Sequence, residues 1–243
     1  MNQISDKKLK NILYVLIGIY AISLIISFYY NISKGSTYGI MMTAVAMITP
    51  CIVPLAFRIF HLRKVYEIYI IWIGFTYFAS LIGSGFRGYS YVGYDKILHF
   101  LSGFLAMLFA IILFFYLRQS NRFSSRRDLS LFIVFINAIN MSIAVLWEVY
   151  EYILLVVFNY DCINHYTQGV HDSLTDMIWA IIAGSIVTIY ILYLYWKRRS
   201  NSILILCNKF YLRNIKNKKD SLYIEGDILF YMRRSENGIS KDK

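Results

Sequence analysis

The stretch from His171 to Lys197, HDSLTDMIWAIIAGSIVTIYILYLYWK, decides the fold. It begins with two aspartates, Asp172 and Asp176, and then carries no charge from Met177 to Trp196. About 20 apolar residues in helical geometry cover about 30 Å, the thickness of a bilayer's hydrocarbon core. The segment reads as a membrane-crossing helix. It raises the question of why two acids, four residues apart, stand where that helix enters apolar surroundings.

Five more apolar runs lie upstream. With the last, the set is about 11–30, 38–60, 66–84, 96–117, 130–158 and 173–196. The chain is 58% hydrophobic and 16% charged, whereas soluble domains carry roughly 25% charged residues. A soluble domain has no interior large enough to hide six such runs. The fold class is therefore all-α, a polytopic integral membrane bundle of about six transmembrane helices. Lys7, Lys8 and Lys10 precede the first run as in a signal peptide. No small-residue cleavage site follows, and the run is too long for a signal core, so it reads as a retained span. Pro50 and Pro54 predict a kink in the second run. The fifth run is long enough to tilt or to project beyond the lipid. Cys51, Cys162 and Cys207 are scattered, form no CxxC, and imply no disulfide framework.

The basic residues set the orientation. Of 25 Lys and Arg, 22 fall in the N-terminus, the region around residues 58–64, the 118–129 loop and the tail. Only Lys34, Arg87 and Lys96 fall in the alternate set. Six crossings put both termini on the basic side. The reading is N-in/C-in, with loops 31–37, 85–95 and 159–172 outside. Residues 1–196 form the transmembrane domain and 197–243 a basic cytoplasmic tail. The tail holds 12 basic and 5 acidic residues, so topology accounts for much of the +11 net charge. The partner implied is the lipid bilayer, not nucleic acid. KRRSNSILILCNKFYLRNIKNKK suits the surface of an anionic leaflet, and LYIEGDILFYM reads as two short strands about a turn.

Ionisable residues in membrane helices are costly and usually face the bundle interior. Here they come in pairs. The fourth helix opens YDKILHF, with Asp95 and His99 four apart; the fifth carries WEVYEY, with Glu148 and Glu151 three apart; the sixth opens with Asp172 and Asp176. Each spacing puts the pair on one helical face. The fourth and sixth helices start outside and the fifth ends there, so the three pairs share one depth. Stripes of small or polar residues continue each face: Ala180 and Gly184; Gly103, Ala106 and Ala110; Ala144, Asn140 and Asn137. Small residues let membrane helices approach closely, so the acidic faces are expected to meet one another.

Five carboxylates and one histidine cannot share a small volume as bare anions. Protons, a cationic partner or a divalent metal would resolve the conflict. Lys96 and Arg87 are the nearby cations, two against five. Glu148, Glu151, Asp176 and His99 are the candidate metal ligands, and the donor set suits Zn, Mn, Mg or Ca. No HExxH is present. Asp95 and Asp172 also read as helix N-caps. Asp176 lies one turn too deep for that, and Glu148 and Glu151 sit at a C-terminal helix end, where the dipole disfavours acids. His165 and His171 read as solvated loop residues.

These motifs together resemble the YjdF-like inner-membrane proteins of bacteria, in YDKILHFLSGFLA, WEVYEY and TQGVHDSLTDMIWAIIAGSIV. A looser likeness in motif order reaches the VanZ-like proteins, associated with teicoplanin resistance. The resemblance spans about residues 90–190. It implies a bacterial cell-membrane location, and its polar positions fall on Asp95, Lys96, His99, Glu148, Glu151, Gln168, Gly169, Asp172, Asp176 and Gly184. Val170 stands where YjdF-like members carry an acid. The resemblance implies an architecture and no specific activity. Three classes of function fit the residues. The first is metal-dependent chemistry on a lipid or envelope-derived small molecule, with Asp95, His99, Glu148, Glu151, Asp172 and Asp176 as catalytic candidates. The second is a proton- or cation-coupled transporter. The third is a structural or regulatory protein whose acidic network only locks helices together.

Overall fold

A backbone in hydrocarbon must satisfy its own N–H and C=O groups, and helices do so within one segment. In a computed structural model of the protein, residues 5–121, 123, 125–162, 164, 166–197 and 202–215 are described. They form α1 (Asp6–Ser33), α2 (Thr37–Ile48), α3 (Ile52–Ile59), α4 (Tyr66–Thr76), α5 (Tyr94–Arg118), α6 (Arg126–Phe158), α7 (Val170–Lys197) and α8 (Ser202–Asn214). A 3-10 turn, Thr49–Cys51, joins α2 to α3, and a π-helical stretch, Tyr77–Gly85, continues α4. Six helical spans result, all long and apolar enough to cross a membrane. They match the six apolar runs to within five residues at every end. His165 and the LYIEGDILFYM segment lie outside the described residues.

Local chemistry sets the helix boundaries. Ser5, Ser36 and Ser125 cap α1, α2 and α6 by accepting from the backbone N–H of Lys8, Gly39 and Asp128. Pro50 has no N–H, so the Ala46 carbonyl loses its helical donor. The Tyr20 hydroxyl donates to that carbonyl at 2.7 Å, and Trp72 Nε1 donates to Thr49 O at 3.1 Å. The predicted kink is therefore a 3-10 turn: Tyr20 of α1 meets the Ala46 carbonyl freed by Pro50, and Thr49 O, which accepts the Ile52 N–H, also accepts from Trp72 of α4.

The spans pack as two triples. In the first, α1 lies against α2 and α4. Asn31, fully buried, donates to Ser27 O and to Gly85 O at 2.9 and 2.8 Å. Its Oδ1 presses on Gly39, where a Cβ would collide. In the second triple, α5, α6 and α7 all touch one another, and α5 crosses α7 most closely at Gly103. A Cβ there would lie 2.5 Å from Ala180 O and 2.8 Å from Ala183 Cβ. Below that crossing, Met107, Ile111, Phe132, Ile136 and Ile191 fill the core.

The helix α8 comes from the segment read as lying on a leaflet. It packs into the fold instead, with Leu204, Leu206, Cys207, Phe210 and Tyr211 buried. Phe210 meets Phe57 edge to face at 6.0 Å between centroids. Lys209 pairs with Asp6 at 3.0 Å and Glu67 at 2.5 Å, and Arg213 also pairs with Asp6. The first part of the basic tail thus fastens α1 and α4 to the rest of the bundle, at the end opposite the acidic pairs.

Candidate functional site

The three acidic faces meet. Asp172 and Asp176 of α7 are 1% and 2% exposed, and Glu148 of α6 and His99 of α5 are 7% and 8% exposed. The small-residue stripes explain the approach. Gly103 and Ala180 let α5 and α7 touch, and Gly184 lies directly against the Asn140 amide. Asn140 donates to Ala180 O at 3.0 Å and Asn137 to Thr188 Oγ1 at 2.9 Å, which ties α6 to α7 below the acids.

The cluster divides in two. On one side Lys96 Nζ lies 2.6 Å from Asp172 Oδ1 and 2.8 and 2.9 Å from the two oxygens of Asp176, with Asp95 Oδ2 farther off at 3.5 Å. The second oxygen of Asp172 accepts from Asn164 Nδ2 at 2.8 Å. This half is an ion-pair network gathered on one ammonium, in which Asp176 Oδ1 has the charge of Lys96 beside it but no well-formed hydrogen bond. On the other side, neither oxygen of Glu148 receives a hydrogen bond, although Ser173 stands nearby. Its Oε1 is 3.9 Å from His99 Nδ1. Glu151 Oε1 accepts from Trp147 Nε1 at 2.9 Å. His99, Glu148 and Glu151 each offer a ligand atom within 4.8 Å of the others, and so do Asp95, His99 and Asp176.

His99 joins the halves. Its Nε2 is 3.4 Å from Asp95 Oδ1 and 3.9 Å from Asp176 Oδ2, while Nδ1 faces Glu148. A metal-binding histidine usually turns its other ring N–H toward a carboxylate. That arrangement is present if Nδ1 is the ligand and Asp95 the orienting group. A cation held by Asp95, His99 and Asp176 would instead meet the Lys96 ammonium. The geometry therefore favours His99, Glu148 and Glu151 as the ligand set.

The two capping assignments are corrected. Gly93, at φ +80°, starts α5 one residue before Asp95, and no side chain caps it. Asp95 sits in the first turn with its carboxylate on His99 and Lys96. Likewise α7 begins at Val170, so Asp172 is inside the helix and serves Lys96 and Asn164. Arg87 does not reach the acids; it donates to Ser36 Oγ at 2.6 Å. Gln168 and His171 are exposed.

Sequence reasoning missed Asn164, which builds the loop between α6 and α7. Its φ is +48°, and its carbonyl accepts the backbone N–H of Thr167, Gln168 and Gly169. The same loop brings Tyr160 onto Tyr38 of α2, with rings stacked at 5.2 Å and hydroxyls in contact. Burial pushes the Cys162 thiol in this loop up to about 12, so it is a neutral group and not a nucleophile.

The family described as Predicted membrane protein (DUF2238) matches residues 12–198, three quarters of the chain and all six candidate site residues. The chain belongs to that family, which is also that of the YjdF-like proteins. The looser likeness to VanZ-like proteins gains nothing from this match. No curated protein and no solved structure matches the chain.

Proposed function

We propose that this DUF2238 membrane protein holds a divalent cation at His99, Glu148 and Glu151 and uses it for hydrolytic or transfer chemistry on a lipid or envelope-derived small molecule. One observation carries the reading: a carboxylate 7% exposed, with no well-formed hydrogen bond on either oxygen and only the Ser173 hydroxyl nearby, faces an imidazole and a second carboxylate. Such a group requires a proton or a cation. One nitrogen and several oxygens suit Mn, Zn or Mg, and a bound cation of this kind supplies an activated water and polarises a substrate oxygen. The chain's own groups take definite parts. Trp147 fixes one oxygen of Glu151 and leaves the other free. Asp95 orients His99 and, with 27% of its side chain exposed, is the acid placed to exchange protons with substrate. Lys96 and Asn164 hold Asp172. The basic-residue pattern supports an orientation with this end outside the cell membrane and both termini inside.

A proton- or cation-coupled transporter is the second reading, and the buried Asn140, whose Oδ1 lacks a donor, favours it. Against it, Gly103 packs directly on Ala180 and Ala183, and buried apolar residues such as Met107, Ile111 and Phe132 fill the core below, with no acid among them. A purely structural network explains the Lys96 half of the cluster but leaves Glu148 with only the His99 imidazole at 3.9 Å and no well-formed hydrogen bond.

The test is elemental mass spectrometry of detergent-purified protein after incubation with Mn2+, Zn2+ and Mg2+, beside Glu148→Gln and Glu151→Gln. The expected result is close to one ion per chain in the wild type, lost in both variants while helicity is kept. Reconstitution in vesicles of a bacterial lipid extract should then give metal-dependent lipid products by mass spectrometry. Folded wild type that takes up none of the three ions refutes the cation site; a bound ion with no turnover of any extract component refutes the chemistry.

A further inference from the structure

We infer that this site is built for two cations and that the Lys96 ammonium permanently fills one of the two positions. The inference rests on the divalent-cation reading above and extends it to the other half of the cluster. Lys96 Nζ is surrounded as a cation is. Three oxygens of Asp172 and Asp176 lie within 2.9 Å, and an oxygen of Asp95 lies at 3.5 Å. Asp176 grips it with both oxygens. Across His99 lies the second position, where Glu148 and Glu151 have no tethered cation and neither oxygen of Glu148 receives a well-formed hydrogen bond. One imidazole separates the two positions, with Nε2 toward the aspartates and Nδ1 toward Glu148.

Charge explains why one position carries an ammonium. The five carboxylates need more than one positive charge, since like charges at this spacing repel strongly where water is excluded. Lys96 neutralises one and a divalent ion two more. A second divalent ion beside Lys96 would meet the ammonium at short range. The wild type therefore takes one ion, in the His99, Glu148 and Glu151 position. Replacing Lys96 by an uncharged residue of similar length frees Asp172, Asp176 and Asp95, and the vacated position accepts a second divalent ion.

Mn2+ is the probe, because its number per chain and its spin coupling are both readable. The expected result is one Mn2+ per wild-type chain with an uncoupled paramagnetic resonance signal. Lys96→Met should bind two, with the signal broadened by exchange between neighbouring ions. Lys96→Met/Asp172→Asn/Asp176→Asn should return to one. Two ions in the wild type, or one in folded Lys96→Met at unchanged affinity, overturn the inference and leave the single-ion reading standing. No ion in the wild type but one in Lys96→Met refutes the single-ion reading and supports the Lys96 position. No ion in either overturns both. If Lys96→Met folds poorly, Mn2+ during purification should restore it. Failure to do so, when the triple variant folds, overturns the inference as well.

Discussion

Glu148→Gln should stabilise the metal-free protein. Glu148 and Glu151 offer oxygens within 4.8 Å of each other. At an effective dielectric of about 20, two like charges at that separation repel by about 3.5 kcal/mol. No hydrogen bond to Glu148 offsets this. Proton uptake relieves part of the repulsion in the wild type, so the amide should release less than the full amount, about 2 kcal/mol. For a domain of this size that corresponds to a rise of roughly 4–8 °C in apparent Tm. The assay is thermal unfolding followed by tryptophan fluorescence in detergent, in EDTA and again in Mn2+. The order should reverse with metal: a ligand at a hundred times its Kd adds about 2.7 kcal/mol to the wild type, and the variant gains little. The reasoning is refuted if Glu148→Gln is less stable than the wild type in EDTA and Mn2+ changes neither protein. Glu148 would then be a packed acceptor held by the fold and not a cation ligand.

Other positions give independent checks. Gly103→Val should separate α5 from α7, because the obstructing atom is the backbone oxygen of Ala180; overpacking of this kind costs about 1–3 kcal/mol, and the variant should show both a lowered Tm and loss of bound metal. Tyr20→Phe removes the short hydrogen bond to the Ala46 carbonyl beside Pro50 and leaves it only the Thr49 hydroxyl at 3.5 Å; it should cost about 1 kcal/mol, read as faster hydrogen exchange around residues 46–51 with metal binding unchanged. Cys162 should alkylate slowly. With its pKa raised to about 12 by burial, the thiol is neutral through physiological pH, and at pH 8 the maleimide rate in a Cys51→Ser/Cys207→Ser background should be about a thousandfold below that of a free cysteine. The rate should rise tenfold per pH unit until about pH 12. A rate that levels off near pH 9 would show an unburied thiol.

The parts of this structure that follow from periodicity were legible, and the parts that follow from reach were not. Hydropathy and length found all six spans, and spacings of three and four placed Asp95 with His99, Glu148 with Glu151, and Asp172 with Asp176 on faces that do meet. The cap assignments failed because glycine starts α5 earlier: Gly93 at φ +80° admits a helix that an aspartate cap would have begun two residues later. The π-helical stretch Tyr77–Gly85 carries no periodic signal beyond that of an ordinary helix. The packing of α8 depends on Asp6 and Glu67, 203 and 142 residues away from Lys209, and no local pattern announces such partners. Lys96 is the informative case. Its position next to Asp95 showed a cation near the acids, but a lysine stem can turn in several directions, and only the fold shows it crossing to α7. That crossing divides five equivalent-looking carboxylates into two kinds. Asp172 and Asp176 have their countercharge supplied by the chain, which is what a structural lock requires. Glu148 has only the His99 imidazole, at 3.9 Å, and no lysine or arginine, which is what a site for an exchangeable cation requires. Composition alone predicts an excess of negative charge; the placement of one ammonium determines where that excess remains, and so where chemistry is to be sought.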